Sequence, residues 1–209
     1  MELSALLSFL GAAILLTLMP GPDNIFVLTE SMTKGQRNGI AISIGLCSGI
    51  LIHTLAAATG VSIIIQKSAM AFSVVKYLGA AYLFYLAYQS YKEKNPELKI
   101  DSENTQEAKS FFSLFKKGFL MNVLNPKVAL FFMALLPQFV TEQGYSAVWQ
   151  MIILGAVFMM QALIIFGFIS ILSGKLSKYL NSAQFWKYTK IGKVSVLSLL
   201  GLTLALAKK

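Results

Sequence analysis

The stretch GIAISIGLCSGILIHTLAAATGVSIIIQ, Gly39 to Gln66, runs for 28 residues without a charged side chain. A helix rises about 1.5 Å per residue, so roughly 20 such residues cross a hydrocarbon core of about 30 Å. In that core no water serves the backbone, and a helix satisfies its own N–H and C=O groups. Two more charge-free runs, Leu3–Pro22 and Gln143–Gly174, meet the same length. Of all 209 residues, 56% are hydrophobic and 13% charged, about half the charged share of soluble domains. A soluble domain of this size has too little interior to hide that much apolar surface. The chain is an integral membrane protein.

That reading excludes several functions. The net charge of +9 sits in the gaps between apolar runs, not on one face of a folded domain, so no nucleic-acid partner is expected. Cys47 is the single cysteine, and no His/Cys spacing suits a metal; neither metal nor cofactor is expected. Glu2 precedes the first apolar run and the first basic residue is Lys34. A cleavable leader wants a basic start, so Leu3 onward reads as a retained span.

Six transmembrane helices are expected, at 3–28, 39–65, 68–91, 118–140, 147–172 and 191–207, with a cytoplasmic linker at 92–117. The sixth is the shortest, since its charge-free part, Val194–Ala207, also has the length of a re-entrant segment. Thirteen of the 18 basic residues lie in the alternate loops 29–38, 92–117 and 173–193, against Lys67, Lys208 and Lys209 on the other side. Cytoplasmic loops collect Lys and Arg, which places both termini outside. A five-span arrangement with the N-terminus inside survives only if the first or last segment fails to cross. Phe111, Phe112, Leu114 and Phe115 beside Lys116 and Lys117 read as an interfacial segment, and so do Tyr179, Phe185, Trp186 and Tyr188 among their lysines.

The informative residues lie within the membrane. Pro20-Gly21-Pro22-Asp23-Asn24 removes two backbone donors from span one. Irregular backbone is tolerated at that depth only when buried in protein or lining a wet cavity. Either the helix breaks inside the span, as the apolar Ile25–Leu28 beyond it suggests, or it simply ends with Asp23 at the interface. Span four carries Asn125-Pro126-Lys127 and later Pro137-Gln138. A lysine there needs a partner or water. It can pair with Asp23 across the two broken helices, or snorkel alone to the headgroups.

Leu16–Pro20 is echoed by Ala134–Pro137. Three spans per unit would make two such units inverted repeats, with helices one and four broken, the pattern of a transporter site. Gly45 and Gly49 on span two permit close helix packing. His53, the only histidine, is either proton-linked or an interhelical hydrogen bonder, and Gln161 is a similar case. Asp23 is the other proton-linked candidate.

These residues carry a family resemblance. Pro20-Gly21-Pro22-Asp23-Asn24 with Phe26-Val27-Leu28, Gly35-x-Arg37-x-Gly39, Gly45, Gly49 and His53 resembles the first half of the lysine exporter (LysE/RhtB) family. Asn125-Pro126-Lys127-x-Ala129-Leu130-Phe131-Phe132 and Leu136-Pro137-Gln138-Phe139 are similar to its second half. The resemblance covers about residues 4–206. It implies a multi-pass protein of the bacterial inner membrane that exports amino acids or close relatives, energised by the proton motive force. It leaves the substrate open among basic, neutral and hydroxylated amino acids.

The leading function is therefore export of a small zwitterion by proton antiport. Lys127 and Asn125 suit the carboxylate; Asp23 and carbonyls freed by Pro20, Pro22 and Pro126 suit the ammonium. The expected partners are an amino-acid substrate, protons and lipid, with a homo-oligomer left open. The alternatives are a small channel, an exporter of another solute or, last, a membrane enzyme, which one histidine without a nucleophile or metal set argues against. No phosphate-binding loop of the G-x-x-x-x-G-K-[ST] kind occurs.

Overall fold

Proline fits the first position of a helix, because the N–H it lacks would find no partner there anyway. Both interrupted spans restart in this way. In the computed structural model, α1 (Leu3–Leu18) gives way to α2 (Pro22–Lys34) with a bend of 58°. α5 (Phe111–Val123) gives way to α6 (Pro126–Leu130) and its continuation to Phe139 with a bend of 48°. Between them lie α3 (Gln36–Ala56) and α4 (Ala69–Lys92); α7 (Ala147–Leu180) and α8 (Ala183–Leu206) follow. The structure describes residues 2–19, 21–61, 69–92, 110–141, 144–180 and 182–207. Pro20, residues 62–68 and most of the predicted 92–117 linker lie outside the described residues. Every regular element among the described residues is helical.

Local chemistry explains the joints. Asn125 caps α6, its Oδ1 accepting from the Lys127 backbone N–H at 3.0 Å, ahead of Pro126 at the first helical position. Ser110 caps α5 in the same manner, accepting from Ser113 N at 3.2 Å. Gly35 joins α2 to α3 with φ of 90°, a left-handed conformation that side chains disfavour. Pro137 has no N–H to give Met133 O, and the chain there winds as a π turn (Phe131–Leu135) and a 3-10 turn (Leu136–Phe139).

The tightest crossing is that of α3 on α5. A Cβ at Gly45 would strike the Phe115 carbonyl, and one at Gly118 would strike the Ile42 carbonyl. Gly49 lies against the Asn122 side chain. α4 lies along α8, and α7 packs on α1, α2 and α3. Phe9, Phe131, Phe132 and Phe158 are buried together, with ring centroids 5.1–6.4 Å apart. Outward-facing Leu15, Leu55, Tyr77, Leu78, Ile164, Phe168, Leu199 and Leu202 are exposed. In water that surface would aggregate, whereas in lipid it is solvated.

Gln36–Gly60, Ala147–Ser173 and Trp186–Leu206 are each long and apolar enough to cross a membrane, and the two bent pairs raise the number to five. α4, at 24 residues, is about 36 Å long. Helix ends outrun the apolar runs. Span one continues past residue 28 to Lys34, and span four starts at Phe111 instead of 118. The expected loop 173–193 is largely helical, in α7 to Leu180 and in α8 from Ala183. Lysines stop an apolar run but are good helix formers.

Candidate functional site

The two helix breaks meet. Asn125, at the start of α6, donates from Nδ2 to Asp23 Oδ2 in the first turn of α2 at 2.6 Å. Asp23 is 5% exposed, and a carboxylate at a helix N-terminus faces the positive end of the helix dipole. Asn125 thus holds both partners expected of the site, Asp23 through its amide nitrogen and the Lys127 backbone through its amide oxygen.

Lys127 and Asp23 form no direct salt bridge, so of the two arrangements the sequence left open for Lys127, pairing with Asp23 is not a direct contact. The ammonium of Lys127 donates instead to Leu16 O at 3.3 Å. In a continued helix that carbonyl would accept from residue 20, and Pro20 has no N–H to offer. Lysine therefore reaches across to the other break and takes the acceptor a proline has freed. Span four repeats the arrangement. Pro126 has no N–H to give Asn122 O, which accepts instead from Asn125 N–H at 2.9 Å, and His53 Nε2 lies 3.0 Å from the same oxygen. A carbonyl accepts only, so Nε2 carries the proton and donates. His53 is placed as an interhelical hydrogen bonder on the broken strut of span four.

By position in the restarted helix, Pro22 corresponds to Pro126, each first in its helix, whereas Pro20 precedes the restart and Pro137 lies in a later turn. Pro137 and Gln138 lie in the 3-10 turn, where Gln138 Nε2 donates to Ala134 O at 3.4 Å. They border neither of the cavities described next.

A cavity of about 640 Å³ ends on Gly21, Pro22, Asn125, Pro126 and Lys127, with Tyr85, Gln89 and Lys92 of α4 and Lys193 of α8 on its walls. No carboxylate lines it among the described residues. On the other side of Lys127 a crevice of about 20 Å³ is bordered by Thr17, Asp23, Asn24 and Asn122. Lys92 and Lys193 line the wide side and Asp23 the narrow one, and Lys127 borders both.

Sequence reading passed over two contributors, Thr17 and Asn122. Thr17, in the last turn of α1, accepts from Asn24 Nδ2 on its carbonyl at 2.9 Å and from Gln161 Nε2 on its hydroxyl at 2.8 Å. Asn122 supplies the carbonyl under His53. Gln161 is the one amide or hydroxyl side chain between Gln150 and Ser170 of a charge-free run, a signal that marks a polar partner without saying which.

Interrupted helices that meet around polar groups inside an apolar helical bundle define a membrane transport protein. The model of the LysE type translocator family matches residues 13–208, and the chain belongs to that family. It is 30% identical to the uncharacterized membrane protein YrhP of Bacillus subtilis, over 88% of this chain and 90% of the relative. It is 29% identical to an uncharacterized membrane protein of Vibrio cholerae over the full length of both. It is also 29% identical to the homoserine/homoserine lactone efflux protein of Salmonella typhimurium, over 96% of each chain. No solved structure matches it.

Proposed function

We propose that the chain is a secondary exporter of a small zwitterion, an amino acid or close derivative, across the bacterial inner membrane, coupled to proton entry. One observation carries this reading, the contact of the two helix breaks through Asn125 and Asp23 at the end of the wide cavity. The solute carboxylate would lie on the side of Lys127 and Asn125, where donors converge. Its ammonium would lie on the acceptor side with Asp23. The name of the Salmonella typhimurium relative supports export and a homoserine-like solute.

The full arrangement in this proposal is six spans, with α1–α2, α3 and α4 as one unit and α5–α6, α7 and α8 as its inverted counterpart. Pairing of α3 with α7 and of α4 with α8, second element with second and third with third, supports two related units. Lys92 and Lys193 at the cavity walls belong to the lysine-rich loops expected in the cytoplasm, so the cavity opens inward. In this reading the buried cluster of Phe9, Phe131, Phe132 and Phe158 would form the closed outer side. Alternating access rocks one unit against the other about the contact of the breaks.

The test is a resistance screen. The chain is expressed in a bacterium sensitive to amino acids and their analogues, which is then challenged with amino acids, analogues and dipeptides. Resistance with lowered intracellular accumulation of one compound class is the expected result. Unchanged accumulation of every compound, with the protein present in the membrane, contradicts the reading.

A further inference from the structure

Lys92, Lys127 and Lys193 all border the wide cavity, and no carboxylate among the described residues does. Tyr85, Tyr88, Gln89 and Lys92 recur along α4 at the spacing of one helix face, with Lys92 Nζ 4.6 Å from the Tyr88 ring centroid. α8 supplies Lys193 and, one turn further on, Leu197. The lysines of α8 withdraw from the surface along the helix. Lys187 is exposed and Lys190 half-buried, whereas Lys193 is 8% exposed. A lysine near a membrane interface ordinarily extends its ammonium to water or headgroups. Lys193 borders the cavity instead.

Like charges gathered on one cavity of low dielectric repel, and the set is most stable with an anion among them. A cleft lined by one sign of charge also concentrates solutes of the other. The α-carboxylate assigned to Lys127 and Asn125 brings one negative charge to the end of the cavity. Lys92 and Lys193 line the remainder of its 640 Å³ or so, a volume in the range of small-molecule sites. A second anionic group further along the solute would meet these two lysines there. A cationic side chain in the same place would meet repulsion.

We propose that the preferred solute is an amino acid with an anionic side chain, whose second carboxylate lies among Lys193 and Lys92 while its α-carboxylate lies on Lys127 and Asn125. This rests on the reading of the chain as an amino-acid exporter and adds a charge rule to it. Acidic solutes are taken first, neutral ones next and basic ones last. Lys92, which is exposed, draws the anion in, and the buried Lys193 is the specificity-determining residue. Aspartate has the carbon skeleton of homoserine with a carboxylate in place of the alcohol, so a homoserine-like solute fits the same rule.

The experiment uses the full chain in phosphatidylcholine vesicles, whose headgroups carry no net charge and offer the lysines no competing anion. The vesicles are loaded with aspartate, asparagine, glutamate, glutamine, homoserine or lysine at equal concentration. One fixed proton gradient drives efflux, and potassium with valinomycin holds the membrane potential at zero, so solute charge gains nothing from a voltage. Each acid matches its amide in size and differs in charge. The better acid should leave at least about tenfold faster than its amide, because hydrogen bonds to a charged group exceed those to a neutral one, and lysine should be slowest. Lys193→Gln should cut the acid-to-amide ratio to about twofold or less through a raised KM for the acid, and Lys92→Gln, at an exposed position, should lower it in the same direction. A wild type that exports an amide or lysine as fast as the acids overturns the inference and leaves the exporter reading standing, and that comparison needs no variant to fold. A ratio unchanged in both variants also overturns it, as the mark of lysines with a purely structural role. Export of none of the solutes fails the exporter reading and this inference together.

Discussion

Lys127→Ala and Asp23→Ala are each expected to abolish export while the protein still enters the membrane at normal abundance. Lys127 spans the two breaks, with its backbone N–H capped by Asn125 and its ammonium on the carbonyl that Pro20 freed. Asp23 is tied to the same asparagine. Removing one member of a buried, hydrogen-bonded charge set costs about 3–5 kcal/mol, or about two to nearly four orders of magnitude in rate if the loss falls on the transport barrier. Because Asn125 couples them, the double variant should export no worse than the weaker single one, the signature of residues acting as a unit. Membrane abundance is measured beside efflux in every variant. Normal efflux in Lys127→Ala at normal abundance would leave a lysine that merely snorkels to the headgroups as the better account.

The second large effect is structural. Gly45→Val should remove the protein from the membrane fraction, because the new Cβ meets the Phe115 carbonyl where α3 crosses α5. A side-chain end can swing away, but a backbone carbonyl cannot without parting the helices. Gly118 faces Ile42 on the same terms, so the crossing has no slack on either side. Overpacking costs about 1–3 kcal/mol and more where nothing relaxes, against a total stability of about 5–15 kcal/mol. At Gly11 and Gly167 an added Cβ would meet nothing within 4 Å. Gly11→Ala and Gly167→Ala should hold or raise stability, since alanine exceeds glycine in a helix by about 1 kcal/mol. Membrane abundance and thermal aggregation in mild detergent measure both kinds of variant, and a normal yield of Gly45→Val would contradict the described crossing.

The fold class and the two breaks were legible because both depend on chemistry local in sequence. Charge-free runs report length against a bilayer, and a proline reports a missing donor wherever it stands. Helix ends were less legible. Phe111 starts α5 because Ser110 caps it, a signal masked by nearby lysines that resemble an interfacial loop. In sequence, the echo of Leu16–Pro20 in Ala134–Pro137 pairs Pro20 with Pro137, because apolar residues precede both. Position in the restarted helix instead matches Pro22 with Pro126.

Within the site, the polar residues at the breaks were visible, but who bonds whom was not. Opposite charges on Asp23 and Lys127 suggest a pair. The structure gives each a closer partner, an amide and a freed carbonyl, since backbone acceptors leave no mark in a sequence beyond the proline that strands them. Thr17 was hidden for a related reason. A hydroxyl in a hydrophobic run bonds its own helix by default, and only the arrival of Gln161 from α7, 144 positions along the chain, makes it part of the site.

Coupled export is tested most directly by efflux of a preloaded amino acid from vesicles containing the full chain, with a proton gradient imposed from the receiving side. The account predicts efflux that quickens when the receiving side is acidified and slows to the rate of empty vesicles when a protonophore collapses the gradient. Efflux that ignores the protonophore and follows a sodium gradient instead would contradict it.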